Sequence, residues 1–384
     1  MIASLWQHYD TLKALKETTV SRRKTRLFPL LTVLALFFLS GLAESPKEWE
    51  GVIQSLLKKG HDETRVRSIF SHPEMWFDPE PMNHKLHALF ESRFKAKLIR
   101  SIQEGLQQLG FDPGPIDGLE GWRTRQAALS FQKKYRLSGD GRITNDLLLS
   151  IRETLDPSLK DQPKREGPPV YEVILRDERL DEARDFLNKN RLLLESLSEK
   201  YGIPEEVAVG ILTVETRVGK YLGEKKAFNT LASMSRFVDH DLVEPLFSDD
   251  TMTSVRRAWL RSNSRRVANW AFQELSALLE YTEANRQEPL SLVGSIYGAI
   301  GLSQFMPTSA LEFGVDGNGD GQIDLFSLED ALYSMANYLR RNGWKTGTQG
   351  RQTQARVLYR YNRSRTYVNT VLAVADHLLP DEDH

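Results

Sequence analysis

Pro204–Gly219 reads PEEVAVGILTVETRVG. Proline is tolerated in a first helical turn, where its missing N–H has no partner to lose, and the acidic pair Glu205-Glu206 suits the positive end of a helix. The stretch therefore predicts a helix from there to about Gly219. Three and four positions from Glu215 along that helix lie Ile211, Leu212, Val218 and Gly219, with Val214 adjacent. A carboxyl group among such neighbours is partly desolvated. Desolvation disfavours the charged form, raises the pKa and lets a glutamate carry a proton near neutral pH. The helix alone leaves a plainer alternative open, in which Glu215 pairs with Arg217 or Lys220 on a helix face or caps a neighbouring loop.

Working outward, residues from about Val170 to the end alternate helical apolar spacing with glycine-marked loops. There is no strand-rich block and no repeat of fixed period. The fold class is mainly α. A length of 384 residues allows two domains. With 51 Lys+Arg against 52 Asp+Glu, no whole-chain field draws the protein onto nucleic acid. The absence of cysteine excludes disulfides, thiolate metal sites and a cysteine nucleophile, so chemistry falls to carboxylates, hydroxyls and histidine.

At the N-terminus Leu27–Ala43 is an uncharged apolar run preceded by Arg22, Arg23, Lys24 and Arg26. Such cations stay in the cytoplasm while the rest of the chain crosses. Residues 1–44 are expected to be a signal peptide, with Gly41 and Ala43 as small residues before the cut, or a retained inner-membrane anchor. Both place the body in the periplasm or cell envelope. Residues 45–97 read as short helices, 98–155 as a compact module with its own turn signals, and 156–169 (DPSLKDQPKREGPP) as a linker.

The turn series of the module runs through Leu109-Gly110-Phe111-Asp112-Pro113-Gly114-Pro115-Ile116-Asp117-Gly118, then Gly121, Thr124, Phe131-Gln132 and Gly141. Leu106, Leu109, Ala128, Phe131 and Leu147 are its candidate core. The ordered series resembles the three-helix peptidoglycan-binding domain, which implies binding of wall glycan strands without cutting them.

A second segment changes the weight of Glu215. Gly294-Ser295-Ile296-Tyr297-Gly298-Ala299-Ile300-Gly301-Leu302-Ser303-Gln304-Phe305-Met306-Pro307, together with Glu215-Thr216-Arg217-x-Gly219, resembles the lytic murein transglycosylase B family. Further blocks in the same order agree: Gly223, Asn229, Leu231-Ala232, Asp316–Asp330, Ser334–Tyr338, Gly343-Trp344, and Tyr361-Asn362-Arg363-Ser364 with Tyr367.

The resemblance implies a lysozyme-like helical catalytic domain over 170–384, with 45–97 as its N-terminal part and the module inserted between them. It makes Glu215 the acid and then the base. Ser295, Gln304, Phe305, Tyr338, Tyr361 and Asn362 become contacts to the sugar, although Phe305, as a large apolar ring, fits the core as well as the cleft. The implied reaction cuts the β-1,4 bond between N-acetylmuramic acid and N-acetylglucosamine without water. Ordinary glycosidases need two carboxylates, and no second one stands near these motifs. The muramic C6 hydroxyl takes the place of the missing nucleophile and leaves a 1,6-anhydro end. Lysozyme-like hydrolysis, or a wall-binding scaffold without turnover, are the competing readings. One departure is Ser233–His240, which keeps a single arginine where the family carries an aromatic-Pro-Arg-Arg stretch.

Asp316-Gly317-Asn318-Gly319-Asp320-Gly321-Gln322 places oxygen ligands at loop positions one, three and five, glycine at six, and a backbone carbonyl at seven, the pattern of an EF-hand-like calcium loop. Position twelve is Ser327, which cannot close the loop with a carboxylate. The family resemblance assigns that role to Asp330. The expected ion is structural calcium held by Asp316, Asn318, Asp320, Gln322 and Asp330, with no organic cofactor. The sequence names no protein partner.

Overall fold

The computed structural model describes residues 47–161, 167–247, 252–347 and 350–379; the apolar run 27–43 lies outside them. The chain is mostly helical, and its only β-structure among the described residues is a two-stranded antiparallel ribbon and two isolated bridges. Contacts divide it into two units. The first takes residues 47–77, 168–232 and 271–379; the second takes Asp78–Gly167 and Ser233–Trp270. Both are discontinuous in sequence.

Unit one begins with α1 (Glu50–Lys58) and α2 (Glu63–Phe70), the latter capped by the Asp62 side chain, which accepts from the Arg65 amide at 2.7 Å. Its main core gathers α7 (Asp177–Lys189), α8 (Arg191–Tyr201), α9 (Glu205–Thr216), α13 (Leu328–Arg341), α14 (Arg351–Tyr361) and α15 (Arg365–Leu378). Every residue of α9 from Val207 to Thr216 is buried, so this is a central helix, enclosed on all sides. It packs most extensively on α15. Gly210 allows that approach, because a Cβ there would lie 2.7 Å from the Val371 carbonyl oxygen. The remaining elements of the unit are β1 (Lys225–Lys226), most of α10 (Ala227–Ser235), the Ala271–Ala284 half of α11 (Ser254–Ala284), β2 (Val293–Gly294) and α12 (Pro307–Phe313). The ribbon pairs Lys225 with Gly294 and Lys226 with Val293.

Unit two holds α3 (Glu80–Phe94), α4 (Ala96–Gln108), α5 (Trp122–Lys134), α6 (Asn145–Leu155) and the first half of α11. Ile99, Ile102, Leu106, Ala127, Ala128, Phe131, Ile143, Leu147 and Ile151 form the core of the three-helix module, with Leu109 packed at its edge. Two buried glutamines build its turns by the same device. Gln103 accepts from the Gly118 amide (2.9 Å) and donates to Asp117 (3.1 Å). Gln132 accepts from the Gly141 amide (2.8 Å) and donates to Asp140 (3.1 Å). Each Asp-Gly turn is thus closed by a glutamine from the preceding helix, which satisfies polar groups that burial would otherwise leave unpaired.

The unit boundaries differ from the expected domains, since 78–97 and 233–270 belong with the module. The reason is a second cluster in which Phe90 and Ala96 pack on Leu260, with Phe94, Phe247 and Trp259 around them. Arg256, buried on α11, donates to the Gly118 carbonyl at 3.0 Å and lies over the rings of Phe90 and Phe94.

Candidate active site

Glu215 is the penultimate residue of α9. The helix stops three residues short of the expected Gly219, because Arg217 (φ 53°) and Val218 (φ 50°) both adopt the left-handed conformation that side chains avoid. The Val218 amide donates back to the Leu212 carbonyl at 3.0 Å, satisfying a carbonyl the helix end would orphan. Ion pairs hold this turn. Arg217 donates to Glu182 of α7 through Nε at 2.5 Å, and to Glu178 at 2.7 Å; Lys220 reaches Glu182 at 2.9 Å. The Arg217 guanidinium, followed by Lys220, lowers the Glu182 pKa to about 2. The two cations that the sequence offered Glu215 are therefore engaged elsewhere.

Glu215 itself is 3% exposed, and its Oε2 has no hydrogen-bond partner. Burial pushes its pKa up to about 7. The Tyr367 hydroxyl beside it acts in the opposite direction, yet neither that hydroxyl nor Oε2 closes a hydrogen bond. Helix packing explains the neighbour. About one turn beyond the close approach of Gly210 to Val371, α9 presents Glu215 to the first turn of α15, which carries Tyr367. Burial, and next the nearby Glu215 carboxylate, push the Tyr367 and Tyr361 phenols well above their usual range.

The segment 294–307 frames the same region. The Thr216 hydroxyl donates to the Leu302 carbonyl (2.9 Å), and Tyr361 donates to the Ser303 carbonyl (2.6 Å). Tyr361 lies 5.0 Å from Tyr338 and 6.0 Å from Phe305 between ring centroids. Phe305 is 3% exposed, so it backs the two tyrosines and offers no face to a ligand. Tyr338 and Tyr361 are partly exposed. Gln304 takes a left-handed φ of 49°, and its amide donates to the carbonyls of Gly301 (3.0 Å) and Leu222 (3.3 Å), leaving its oxygen as the available acceptor. The Ser295 hydroxyl accepts from the amides of Tyr297 (3.2 Å) and Ala299 (3.0 Å) and so folds its own loop. Asn362 follows Tyr361 with extended backbone, partly exposed. The electrostatics join Glu215, Tyr361 and Tyr367; Tyr338 and Phe305 complete the aromatic wall. The sequence does not mark Tyr367 and Glu182 as site residues, because nothing in their spacing ties α15 or α7 to Glu215.

A family model for the transglycosylase SLT domain matches residues 154–355, and one for a peptidoglycan binding domain matches residues 95–150. The chain belongs to the transglycosylase SLT domain family. Over 164 residues this SLT-domain protein is 34% identical to the membrane-bound lytic murein transglycosylase B of Escherichia coli (strain K12), a match spanning 43% of this chain and 38% of that relative. Among solved structures it is similar to the soluble lytic transglycosylase SltB1 of Pseudomonas aeruginosa (22% identity, TM-score 0.44, 66% of this chain and 98% of that one). It is also similar to the Escherichia coli lytic transglycosylase Slt35 in complex with calcium (21% identity, TM-score 0.44, 66% and 92%).

In the SLT-domain protein the loop 316–324 wraps its own backbone around Asp316, which accepts from the amides of Gly319 (2.7 Å), Asp320 (3.1 Å) and Gly321 (2.8 Å). Asp330 is fully buried and accepts from the amides of Gly317 (2.8 Å) and Asp324 (2.6 Å), which ties the loop to α13. Asn318 and Asp320 touch at 3.2 Å. Among the described residues no three Asp, Glu or His side chains converge closely enough to hold a metal by themselves. An ion here would depend on the Asn318 side chain and the Gln322 carbonyl as well. The oxygen-only donor set suits calcium.

Proposed function

We propose that this SLT-domain protein is an exported lytic transglycosylase that cuts the β-1,4 bond between N-acetylmuramic acid and N-acetylglucosamine in peptidoglycan. The observation that carries the reading is the buried carboxyl of Glu215, whose Oε2 has no hydrogen-bond partner and whose pKa is raised to about 7. A protonated carboxyl gives its proton to the glycosidic oxygen as the bond from C1 to that oxygen breaks. The resulting carboxylate accepts the proton of the muramic C6 hydroxyl as O6 bonds to C1. Glu215 ends protonated, no water is consumed, and the product carries a 1,6-anhydro ring. Intramolecular attack replaces a second carboxylate, since an oriented internal nucleophile has a very high effective concentration. Tyr338, Tyr361, Asn362, Gln304 and Ser295 are assigned to hold the sugar, with Phe305 as support beneath.

Calcium is assigned to Asp316, Asn318, Asp320, the Gln322 carbonyl and Asp330, where it would fix the loop against α13. The module over 98–155 is assigned to retention on the wall. Export rests on the apolar run 27–43; among the described residues no helix is long and apolar enough to cross a membrane. The test is mass analysis of fragments released from purified sacculi. Anhydro ends support transglycosylation, reducing ends would make the protein a hydrolase, and no fragments would make it a wall-binding scaffold.

A further inference from the structure

The first half of α11 carries an unbalanced charge. From Ser254 to Gln273 the sequence holds five arginines and no Asp or Glu, in a chain that is otherwise nearly neutral. Two of the five are engaged: Arg256 is buried against Gly118, and Arg257 pairs with Glu244 at 3.4 Å. Arg261 and Arg265 are exposed and have no ion-pair partner among the described residues, and Arg266 donates only to Asn263, at 2.9 Å. A groove of about 460 Å³ runs between them, lined by Arg261, Ser262, Arg265, Arg266 and Asn269. Four helical positions advance by about 6 Å, so Arg261 and Arg265 stand one above the other on one face. Lys85, lying over the Trp270 ring at 5.3 Å, adds a further cation whose pKa is lowered by burial and then by Arg266.

We infer that this groove is a second wall-binding site, which takes the carboxylates of peptidoglycan through Arg261, Arg265 and Arg266. Guanidinium forks match carboxylates in two-point geometry, and a groove whose five described lining residues include no acid concentrates such ligands. The lining argues for a polar polymer over a lipid surface: Ser262 and Asn269 offer hydrogen bonds to amides and hydroxyls, and none of the five lining residues is apolar. The occupant follows from the unit itself, since the same unit contains the peptidoglycan binding domain, with Arg256 of this helix bonded to its Gly118 turn. The inference rests on the proposed wall substrate but not on its cleavage.

The experiment is a pull-down on purified sacculi in the Glu215→Gln background, so that binding is read without cutting. Removing two such pairs by Arg261→Gln with Arg265→Gln is expected to weaken binding about fivefold to tenfold, with unchanged melting because both positions are exposed. Sacculi whose carboxyl groups have been converted to amides should bind the parent at that same reduced level and show no further loss with the double variant. Arg257→Gln, at the residue paired to Glu244, should change binding little. Equal binding of parent and double variant to untreated sacculi would overturn the inference. So would a loss confined to vesicles of anionic phospholipid with sacculus binding intact. A parent enzyme that releases no fragments would sink the transglycosylase reading while leaving this result standing.

Discussion

Glu215→Gln separates two properties of one buried carboxyl. The amide keeps the shape of the side chain but cannot deliver a proton, so cleavage of sacculi should fall at least a hundred- to ten-thousandfold, the usual worth of general acid–base assistance. Activity of the parent should decline as pH rises through about 7, where Glu215 loses the proton that the first step needs. The same shift has a stability consequence of opposite sense to that of a paired carboxylate. The native state holds its proton up to about 7, whereas an unfolded glutamate releases it near its ordinary value of 4.5. Between those values the native state binds more protons, so stability falls as pH rises, by on the order of 3 kcal/mol once both states are ionised. Thermal melting of Glu215→Gln should therefore exceed that of the parent more at pH 8 than at pH 5. A pH-independent difference would mean that Glu215 is not held as a buried acid.

At the scale of elements, the end of α9 shows what a sequence can and cannot disclose. Its start was legible in Pro204 and the glutamates after it, and its burial in a run with few polar residues. Its stop was not, because two consecutive non-glycine residues in the left-handed region, Arg217 and Val218, contradict local preference and are sustained by Glu182, which is 35 positions away from Arg217. Likewise Phe305 read as either core or sugar contact until its burial beneath Tyr338 and Tyr361 was seen, and Tyr367 reaches Glu215 only because Gly210 lets α15 approach. Glu182→Ala should leave Arg217 without its partner and cost about 1–3 kcal/mol, measured by chemical denaturation; an unchanged midpoint would show that the ion pairs do not hold this turn. The loop at 316–330 depends on its own sequence to a greater degree. A ligand that binds only the folded state stabilises it by about 2.7 kcal/mol at a hundredfold excess over its dissociation constant. Melting should rise with added calcium, and Asp320→Ala should abolish the rise. An equal response in the variant would remove the ion from this loop.

For the whole molecule, the question is whether its two units fail separately, and Gly118 offers a way to ask it. Gly118 has φ +67°, and a Cβ there would lie 2.8 Å from the Ala96 carbonyl oxygen. The backbone cannot give way freely, since its amide donates to Gln103 and its carbonyl accepts from the buried Arg256. Gly118→Ala thus combines an unfavourable left-handed conformation with a backbone clash, at a cost of about 1–3 kcal/mol. All of the groups disturbed, Ala96, Gln103, Gly118 and Arg256, belong to unit two, whereas α9, α15 and Glu215 belong to unit one. Local opening reports the stability of the cooperative unit in which an amide resides. Amides of α4, α5 and α6 should therefore exchange faster with solvent in the variant, while those of α9 and α15 keep the parent rates. Cleavage of short soluble glycan should persist, and retention on sacculi should fall at temperatures where unit two has opened. Uniform acceleration across α9 and α15 would mean that the two units unfold as one body, and unit two could not then be weakened without weakening the unit that carries Glu215.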